Sequence, residues 1–501
     1  MKKLITRIKN YHPCKPLALL YLLIPIAISF FLLRVIDNDF WFLINQGRYI
    51  LNQGFPIIEP FTIHYNFSFV IQQWLTDVIF YTIYHTFGHL GIILLLFVMT
   101  ILIIYLLYKI CILISNNRLG LSVIITLITT LILLTCYIRT RPQIFDFAIL
   151  LAEIYFLEKY IKQKNSKYLL ILPLLSLLLI NLHASSWFMI FLFMLPYLID
   201  SFKFKIGPFK GEGYNKRNLF LILIPMFLVG FINPYKEKAI TYIFTSFGDI
   251  YVNRLVKEMQ PMFKLGIIHS IIFFGLIALI IGTNIIKHKK IKVRYLCLQL
   301  GTLLLGIQSA KGFSFFLIGA IFSLAYYYKD NFRKYQSEYY YSQDFKLKYG
   351  LLVIIMIAIP LIISINIDDK KFNCVNVQKI TDYLNKTEKK SNIILFTDYD
   401  TGGYLEWNGY KTYLDPRAEV FIKRNNKKKD IIKEYYDLEK GKLDINKFLD
   451  NYRFTHLIVN KKSPLYKYLK DNTHYKLLHT EKSKDKTTYY LFKKSNNVTS
   501  N

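Results

Sequence analysis

Apolar runs of about twenty residues recur along this chain and constrain its fold more than any other feature. Residues 17–36, 90–114 and 265–286 each contain at most one Lys, Arg, Asp or Glu. A helix needs roughly 20 apolar residues to cross the hydrocarbon core of a bilayer, and buried helices of soluble proteins are rarely so long and so uncharged. The sequence therefore predicts an α-helical polytopic membrane protein.

The loops between apolar runs predict the topology. We expect eleven spans, at residues 17–36, 90–114, 119–138, 144–160, 168–182, 186–199, 219–231, 265–286, 293–307, 312–328 and 349–366. With eleven spans, every basic loop falls on one side: the N-terminus, 162–167, 203–217, 287–294 and 329–348. Because Lys and Arg in short loops mark the cytoplasmic face, we predict a plasma-membrane protein with its N-terminus inside.

The segments on the other side are expected to face outward: 37–89, 139–143, 183–185, 232–264 and 308–311. An apolar stretch at 72–87 would break this pattern if it crossed the membrane. We therefore place it in the outer interface as an amphipathic or re-entrant helix, although the sequence leaves a crossing open.

The net charge and the cysteines exclude several other classes of protein. The formal charge of +31 comes mostly from short loops and from the last third of the chain. Topology explains the loop charges, so we expect no nucleic-acid partner. The five cysteines contain no Cys-x-x-Cys pair, which predicts neither a disulfide framework nor a zinc site. The basic start of the chain enters an apolar run without a cleavage signature, so we expect an uncleaved first span.

From about residue 368 the apolar runs stop and shorter patterns begin. Strand-like segments are predicted at 392–396, 411–414, 455–459, 475–479 and 487–492, with helices at 431–449 and 464–470. Strands that alternate with helices indicate a small α/β domain outside the membrane. The predicted organisation is a transmembrane domain, 1–366, with an outer catalytic loop at 37–89, and an extracytoplasmic α/β domain, 367–501.

Two carboxylates, Asp37 and Asp39, follow the first predicted span directly, next to Phe40 and Trp41. The topology places both at the outer membrane surface. A carboxylate there can accept the proton of an acceptor hydroxyl, and two together can hold a divalent cation against a phosphate. A solvated loop is the alternative interpretation. The cofactor is therefore unknown: a metal ion on Asp37 and Asp39 is compatible with the sequence but not required by it.

Four positively charged or titratable side chains are predicted at the outer ends of spans: Arg139, Arg141, His183 and Lys311. Such side chains can simply reach toward the interface. On the same side as the Asp pair they can instead clamp a lipid phosphate, whose negative charge grows as it leaves. His183 can also be an ordinary hydrogen-bonded histidine at a helix end.

A series of different short polar and aromatic motifs is spread along nearly the whole chain. They are Asp37-Asn38-Asp39-Phe40-Trp41, the segments 46–56, Glu59-Pro60-Phe61-Thr62 and Gln73-Trp74-Leu75, then Arg141-Pro142-Gln143, Asn181-Leu182-His183, Asn233-Pro234, Lys257-Glu258-Met259-Gln260-Pro261, Asp400-Thr401-Gly402-Gly403 and Leu414-Asp415-Pro416-Arg417. This ordered set resembles the GT-C superfamily of polytopic glycosyltransferases, and more closely a bacterial group with a shared outer-loop pattern. The chain departs from that pattern at Gln73, where the family has Glu, and at Met259, where it has Trp. Near Lys311, where the family has an arginine-rich pattern, this chain has only Ala310-Lys311-Gly312.

The resemblance implies transfer of a sugar from a polyprenyl-phosphate carrier in the lipid bilayer to a glycan, lipid or protein acceptor. It also implies that an acid of the first outer loop is the catalytic base, which here matches Asp37 and Asp39. The predicted enzyme is thus a membrane glycosyltransferase for cell-envelope glycans.

Five further residues of the matched motifs are candidate site residues. We place Glu258 with the donor-phosphate group, and Glu59 and Trp74 on the acceptor side. Asp415 and Arg417 either line an acceptor cleft or form a structural ion pair within the tail domain.

Two other functions stay open from the sequence. A transporter or lipid-handling protein would also carry polar residues at span ends, but it predicts polar groups near mid-membrane in paired broken helices. The third possibility is a GT-C fold that has lost catalysis.

Overall fold

The computed structural model describes residues 15–32, 36–207, 209–246, 248–288, 291–332, 376–483 and 487–495. The predicted span 349–366 and the predicted domain boundary at 366/367 lie outside these residues. Helices dominate the described part of the chain, and a four-stranded sheet follows near its C-terminal end.

The helices and strands are numbered here in chain order. The helices are α1 Lys15–Leu32, α2 Asp39–Gln53, α3 Trp74–Ile114, α4 Leu119–Cys136, α5 Gln143–Gln163, α6 Leu172–Leu182, α7 Phe188–Asp200, α8 Lys216–Leu228, α9 Glu237–Ser246, α10 Ile250–Leu255, α11 Ile267–Ile286, α12 Val293–Gln308, α13 Ala310–Ala320, α14 Phe322–Tyr327, α15 Gln378–Thr387, α16 Gly402–Trp407, α17 Lys423–Asn426, α18 Ile431–Glu439, α19 Ile445–Tyr452 and α20 Pro464–Asp471. The strands are β1 Lys205–Ile206, β2 Phe209–Lys210, β3 Leu395–Phe396, β4 His456–Asn460, β5 Tyr475–Lys482 and β6 Thr488–Lys494.

The chain forms two compact units. The first, called the helical unit, comprises Met1–Arg34, Leu90–Ile240 and Lys257–Ile367. The second, called the sheet unit, comprises Val35–His89, Thr241–Val256 and Asp368–Asn501. Helix α3 contributes to both, and its backbone leaves helical geometry at Gly88 (φ 59°, ψ −150°). The break lies between the predicted interfacial stretch, 72–87, and the predicted span that begins at residue 90.

Four helical stretches of the described chain are long and apolar enough to cross a membrane: Trp74–Ile114, Leu119–Cys136, Ile267–Ile286 and Ala310–Tyr327. Shorter apolar helices cover Ser166–Leu182, Ala184–Asp200 and Val293–Gln308. On α11, large apolar side chains such as Ile267, Ile271 and Phe274 are exposed. An apolar face that contacts no protein is typical of a helix that faces lipid.

One end of the helical unit gathers the connections that the sequence places outside. There, side chains and backbone atoms from four different connections meet directly. The contacts are the ion pair of Arg141 with Glu258, the hydrogen bond from Ala310 N–H to the Gln260 carbonyl (2.8 Å), and that from Asn181 Nδ2 to the Ile232 carbonyl (3.0 Å).

The other end of this unit gathers several of the basic connections around one buried arginine. Arg294, at the start of α12, lies 3.0 Å from Glu158 and 2.9 Å from Asp200, near the C-terminal ends of α5 and α7. It also pairs with Glu212 (2.9 Å), as does Lys292. Since each residue of an α-helix advances about 1.5 Å, the 21-residue helix α5 separates the two ends by about 30 Å. The predicted topology puts all basic loops on one face of the membrane, which requires them to lie together at one end of the unit. That this end faces the cytoplasm stays a prediction.

The sheet of the sheet unit has the order β3-β4-β6-β5, with β3 parallel to β4 and the other pairs antiparallel. Its core packs Leu395, Ile458 and Leu491 against α15 and against Leu405 of α16. The strands predicted at 455–459, 475–479 and 487–492 and the helix at 464–470 are confirmed.

Two local predictions for the tail were wrong. Residues 411–414 do not form a strand. Thr412 makes one isolated bridge to Thr62 and one to Leu395, so its backbone groups are divided between two neighbours. Pro416, which has no backbone N–H, follows shortly after. The helix predicted over 431–449 is two helices, α18 and α19. Gly441 separates them with φ +66°, a conformation that an α-helix does not allow.

Candidate functional site

The two acids of the first loop lie at the start of α2, in the sheet unit. Asp39 is the first residue of the helix, and the carbonyl of Asp37 accepts a hydrogen bond from Phe40 N–H (3.1 Å). Both acids are partly exposed. A carboxylate at a helix N-terminus is stabilised by the helix dipole, so Asp39 has a structural role besides any chemical one.

Helix α2 is held by close backbone contacts at glycines of the sequence motifs. A Cβ atom at Gly47 would lie 2.1 Å from the Asp77 carbonyl oxygen, so α2 meets the start of α3 at backbone distance. A Cβ atom at Gly403 would lie 3.3 Å from Phe42 N, where α16 of the tail packs on α2. These glycines therefore fix the position of the helix that begins at the Asp pair.

An aromatic cluster fills the space around the start of α2. The Trp41 ring lies 4.9 Å from Tyr404, 6.0 Å from Tyr84 and 6.5 Å from Trp407, measured between ring centroids. At the other end of α2, the Trp74 ring meets the Phe55 ring edge to face at 5.3 Å. Aromatic pairs at these distances add stabilisation beyond the area that they bury, so the cluster anchors the loop to the tail.

A buried arginine joins the first loop to the tail. Arg417 Nη2 donates to Glu59 Oε1 at 2.9 Å, and Arg417 Nε donates to Asp415 Oδ1 at 2.9 Å. Glu406 Oε2 lies 3.4 Å from the same guanidinium, and Arg417 is only 1% exposed. The guanidinium also lies 5.1 Å from the ring of Phe61. The motifs that contain Glu59 and Arg417, distant in sequence, thus meet in one buried ion cluster.

One carboxyl of this cluster has a raised pKa. Burial, together with the nearby charge of Asp415, raises the pKa of Glu406 well above its usual range. Glu406 also accepts a short hydrogen bond from the Thr412 hydroxyl (2.6 Å). Arg417 bonds to the other two carboxyl groups, Glu59 and Asp415, as well, so one buried guanidinium serves three acids.

The predicted phosphate-binding residues lie in the helical unit, and two of them pair with each other. Arg141 forms an ion pair with Glu258. Arg139 instead donates to the carbonyls of Leu134 (3.2 Å) and Thr135 (2.9 Å), the last turn of α4. Arg139 therefore satisfies a helix C-terminus, as basic side chains often do.

Lys311 is the second residue of α13. Its ammonium group makes no hydrogen bond or ion pair within the described residues, and the side chain is partly exposed. A cation at a helix N-terminus is unfavourable unless an anion binds nearby, because both carry positive charge.

His183 belongs to a buried polar group that includes two residues absent from our sequence predictions. Its Nδ1 lies 2.7 Å from Asp146 Oδ2, and the Ser186 hydroxyl donates to the same oxygen at 2.7 Å. Asp146 is fully buried and His183 is nearly so. The signal was present in the sequence, because a carboxylate inside an apolar span marks a candidate functional site.

The predicted site residues thus form separate groups. Asp37 and Asp39 begin α2, and Glu59, Asp415 and Arg417 share the buried ion cluster, all within the sheet unit. Arg141 pairs with Glu258 in the helical unit. Across the described ranges, no set of three or more His, Cys, Asp and Glu side chains is placed to hold a metal ion.

Comparison with known proteins gives a fold but no sequence family. No family model matches the chain, and no curated protein matches its sequence. The apo crystal structure of the oligosaccharyltransferase of Archaeoglobus fulgidus is similar, with a TM-score of 0.53 and 11% identity over 89% of this chain and 70% of that one. The same enzyme tethered to an acceptor peptide gives 0.54 and 12%, over 89% and 69%. The similarity shows that the chain shares the fold of that enzyme.

Proposed function

We propose that this chain is a membrane glycosyltransferase that transfers a sugar from a polyprenyl-phosphate carrier to an acceptor at the outer face of the membrane. The observation that carries the proposal is the fold similarity to a membrane oligosaccharyltransferase, which extends over 89% of the chain. The acidic start of α2 and the ordered motifs supply candidate chemistry for this proposal. The bacterial group that the motifs resemble remains part of this proposal.

The proposed topology has eleven spans, a cytoplasmic N-terminus and a sheet unit outside the plasma membrane. The break at Gly88 supports an interfacial helix over 74–87 followed by a span from about residue 90. The gathering of the connections at 139–143, 232–264 and 308–311 at one end of the helical unit supports their common, outward face.

In the proposed reaction, Asp37 or Asp39 accepts the proton of an acceptor hydroxyl as its oxygen attacks the anomeric carbon of the donor sugar. The bond from that carbon to the phosphate oxygen breaks, and the electron pair stays on the polyprenyl phosphate. A new glycosidic bond forms with inversion at the anomeric carbon. A divalent cation on the Asp pair would draw further ligands from substrate or water.

The leaving phosphate gains negative charge, which Arg141, His183 and Lys311 are proposed to stabilise. The Lys311 ammonium group and the N-terminal end of helix α13 both carry positive charge, so each of them favours a bound anion. Asp146 Oδ2 lies 2.7 Å from Nδ1 of His183 and orients the ring, which leaves Nε2 to donate to the phosphate. We assign Glu258 the role of orienting Arg141 until a phosphate binds.

The test is sugar transfer in membranes that contain the full chain, with a labelled polyprenyl-phosphate sugar as donor. We expect Asp37→Asn or Asp39→Asn to abolish transfer, whereas Asp382→Asn, which removes an exposed carboxylate of α15, retains it. His183→Gln and Lys311→Gln should lower the rate with the acceptor saturating. Full transfer by both Asp variants would refute the assignment of the base, and a parent protein without transfer would point to a GT-C fold without catalysis.

One observation favours the transporter alternative. Glu153, midway along α5, is fully buried, and neither of its oxygens has a hydrogen-bond partner within the described residues. Buried acids inside a membrane bundle often belong to translocation paths. If the protein is a transporter, Glu153→Gln should stop proton-coupled flux in vesicles. A transferase should keep its activity with that change.

A further inference from the structure

A cavity lies within the sheet unit, between α2 and the turn that follows α16. Its volume is about 350 Å³. This is at the lower end of the roughly 300–1,000 Å³ found for small-ligand sites. The lining contains three amide side chains, three aromatic rings, the two cations Arg48 and Lys411, and one acid, Glu406.

Arg48 is the central charged group of this cavity and is held rigidly. Its guanidinium stacks on Trp407, 4.1 Å from the ring centroid, and Nη2 donates to the Trp407 carbonyl (2.9 Å) and to Asn45 Oδ1 (2.6 Å). Its other nitrogen atoms make no hydrogen bond to the described residues, and no carboxylate there pairs with it. A fixed, half-buried cation without a counter-ion is prepared for an anionic ligand.

Asn45 fixes this arginine from within helix α2. The side chain is 2% exposed, and its Oδ1 accepts a hydrogen bond from Arg48 Nη2 (2.6 Å). A buried amide that accepts from a guanidinium holds the cation in one orientation.

The rest of the lining suits a sugar ring. Tyr49 and Phe61 meet edge to face at 5.4 Å and present aromatic surface to the cavity. Asn52 and Gln53 are exposed amides at the rim, able both to donate to hydroxyls and to accept from them. The Glu406 side chain is already engaged, because it accepts a hydrogen bond from the Thr412 hydroxyl and bonds to Arg417.

From this arrangement we propose that the cavity binds an anionic saccharide, one that carries a carboxylate or a phosphate group. Arg48 and Lys411 bind the anionic group, Asn45 orients Arg48, Asn52 and Gln53 bond to hydroxyl groups, and Tyr49 and Phe61 pack against the sugar face. That this saccharide is part of the acceptor glycan rests on the proposed function. The binding itself does not.

The test measures binding without turnover, on the full chain in detergent micelles. Trp407 lies directly under Arg48 and is one of four tryptophans, so its fluorescence reports occupancy. The probes are a disaccharide containing glucuronic acid, the matching neutral disaccharide, inorganic phosphate and an acidic peptide. We expect the acidic disaccharide to bind about tenfold or more tightly than either the neutral one or phosphate.

Variants separate recognition from folding. Arg48→Gln should weaken binding of the acidic disaccharide by about tenfold or more, the loss expected for one charged hydrogen bond. Lys411→Gln, at an exposed rim position that supports no other side chain in the described structure, should weaken it by a smaller factor. Arg424→Gln removes a 51%-exposed arginine of the same unit and should change nothing.

The outcomes that overturn the proposal are equal binding of acidic and neutral disaccharides, unchanged binding by both Arg48→Gln and Lys411→Gln, or preference for the acidic peptide. Absence of saccharide binding at millimolar concentration overturns it as well. Asp37→Asn distinguishes the two proposals, because it should abolish transfer and leave disaccharide binding intact. In Asp37→Asn, loss of sugar transfer with normal disaccharide binding therefore supports both proposals. In Arg48→Gln, continued transfer together with normal disaccharide affinity contradicts only the proposal that the cavity binds a saccharide.

Discussion

Replacement of Arg417 by methionine tests the buried ion cluster most directly. The substitution keeps an unbranched side chain of similar length but removes the only cation bonded to Glu59 and Asp415 in the described structure. Removal of one partner from a buried ion pair costs about 3–5 kcal/mol, because the other charge stays buried. Two carboxyl groups lose their partner here, so we expect the upper end of that range.

The expected loss is large enough to measure by thermal unfolding of the full chain in detergent at neutral pH. For a domain of about 150–250 residues, each kcal/mol shifts Tm by about 2–4 °C, so Arg417→Met should lower Tm by on the order of 10–20 °C. Glu406→Gln is the matched control. It keeps the size of the side chain and leaves Arg417 bonded to Glu59 and Asp415, so it should cost less than Arg417→Met, about 1 kcal/mol for one altered hydrogen bond.

A third variant checks the reasoning from the opposite direction. Glu59→Gln combined with Asp415→Asn and Arg417→Met removes all the charges, and part of the lost Tm should return because no carboxylate remains unpaired. An unchanged Tm in Arg417→Met would refute the cluster as a source of stability. A loss in Glu406→Gln as large as that in Arg417→Met would refute the assignment of the loss to Glu59 and Asp415.

Three further predictions concern other parts of the molecule. Burial raises the pKa of Asp398 to about 7, above its unfolded value, so its stabilising contribution is present at low pH and lost as pH rises through about 7; Asp398→Asn should therefore gain Tm relative to the parent protein between about pH 5 and pH 8. Gly47→Ala should lower Tm because its Cβ meets the Asp77 carbonyl, whereas Gly275→Ala, with nothing within 4 Å, should not. Arg294→Gln should reduce the yield of monodisperse protein, since it leaves buried carboxylates unpaired.

Much of the helical fold was predictable from the sequence because bilayer thickness fixes the length of an apolar helix. The helices α4, α5, α11 and α12 begin and end within a few residues of the predicted spans. The kinked α3 was harder, because hydrophobicity alone does not reveal that Gly88 adopts a positive φ between two apolar segments. The α/β tail was predicted as a class. Its sheet order was not predicted, since pairing of distant strands leaves no local pattern.

The candidate site was predictable as residue types but not as contacts. The span ends pointed to Arg141 and His183, yet the partners that orient them, Glu258 and Asp146, came from other parts of the chain. Arg139 shows the opposite case. It lies two residues from Arg141, but its guanidinium returns to the carbonyls of the preceding helix, which only coordinates can show.

The buried cluster also bears on how the first loop folds. Glu59 and Arg417 are 358 residues apart in sequence, and their hydrogen bond is one of the longest-range contacts of the sheet unit. Until the tail is synthesised, Glu59 has no buried cation, and α2 lacks the surface that α16 provides at Gly403. A buried carboxylate without a partner is unfavourable, so the loop cannot settle into its final packing before the last quarter of the chain exists. The tail therefore completes the packing of the loop that carries Asp37 and Asp39.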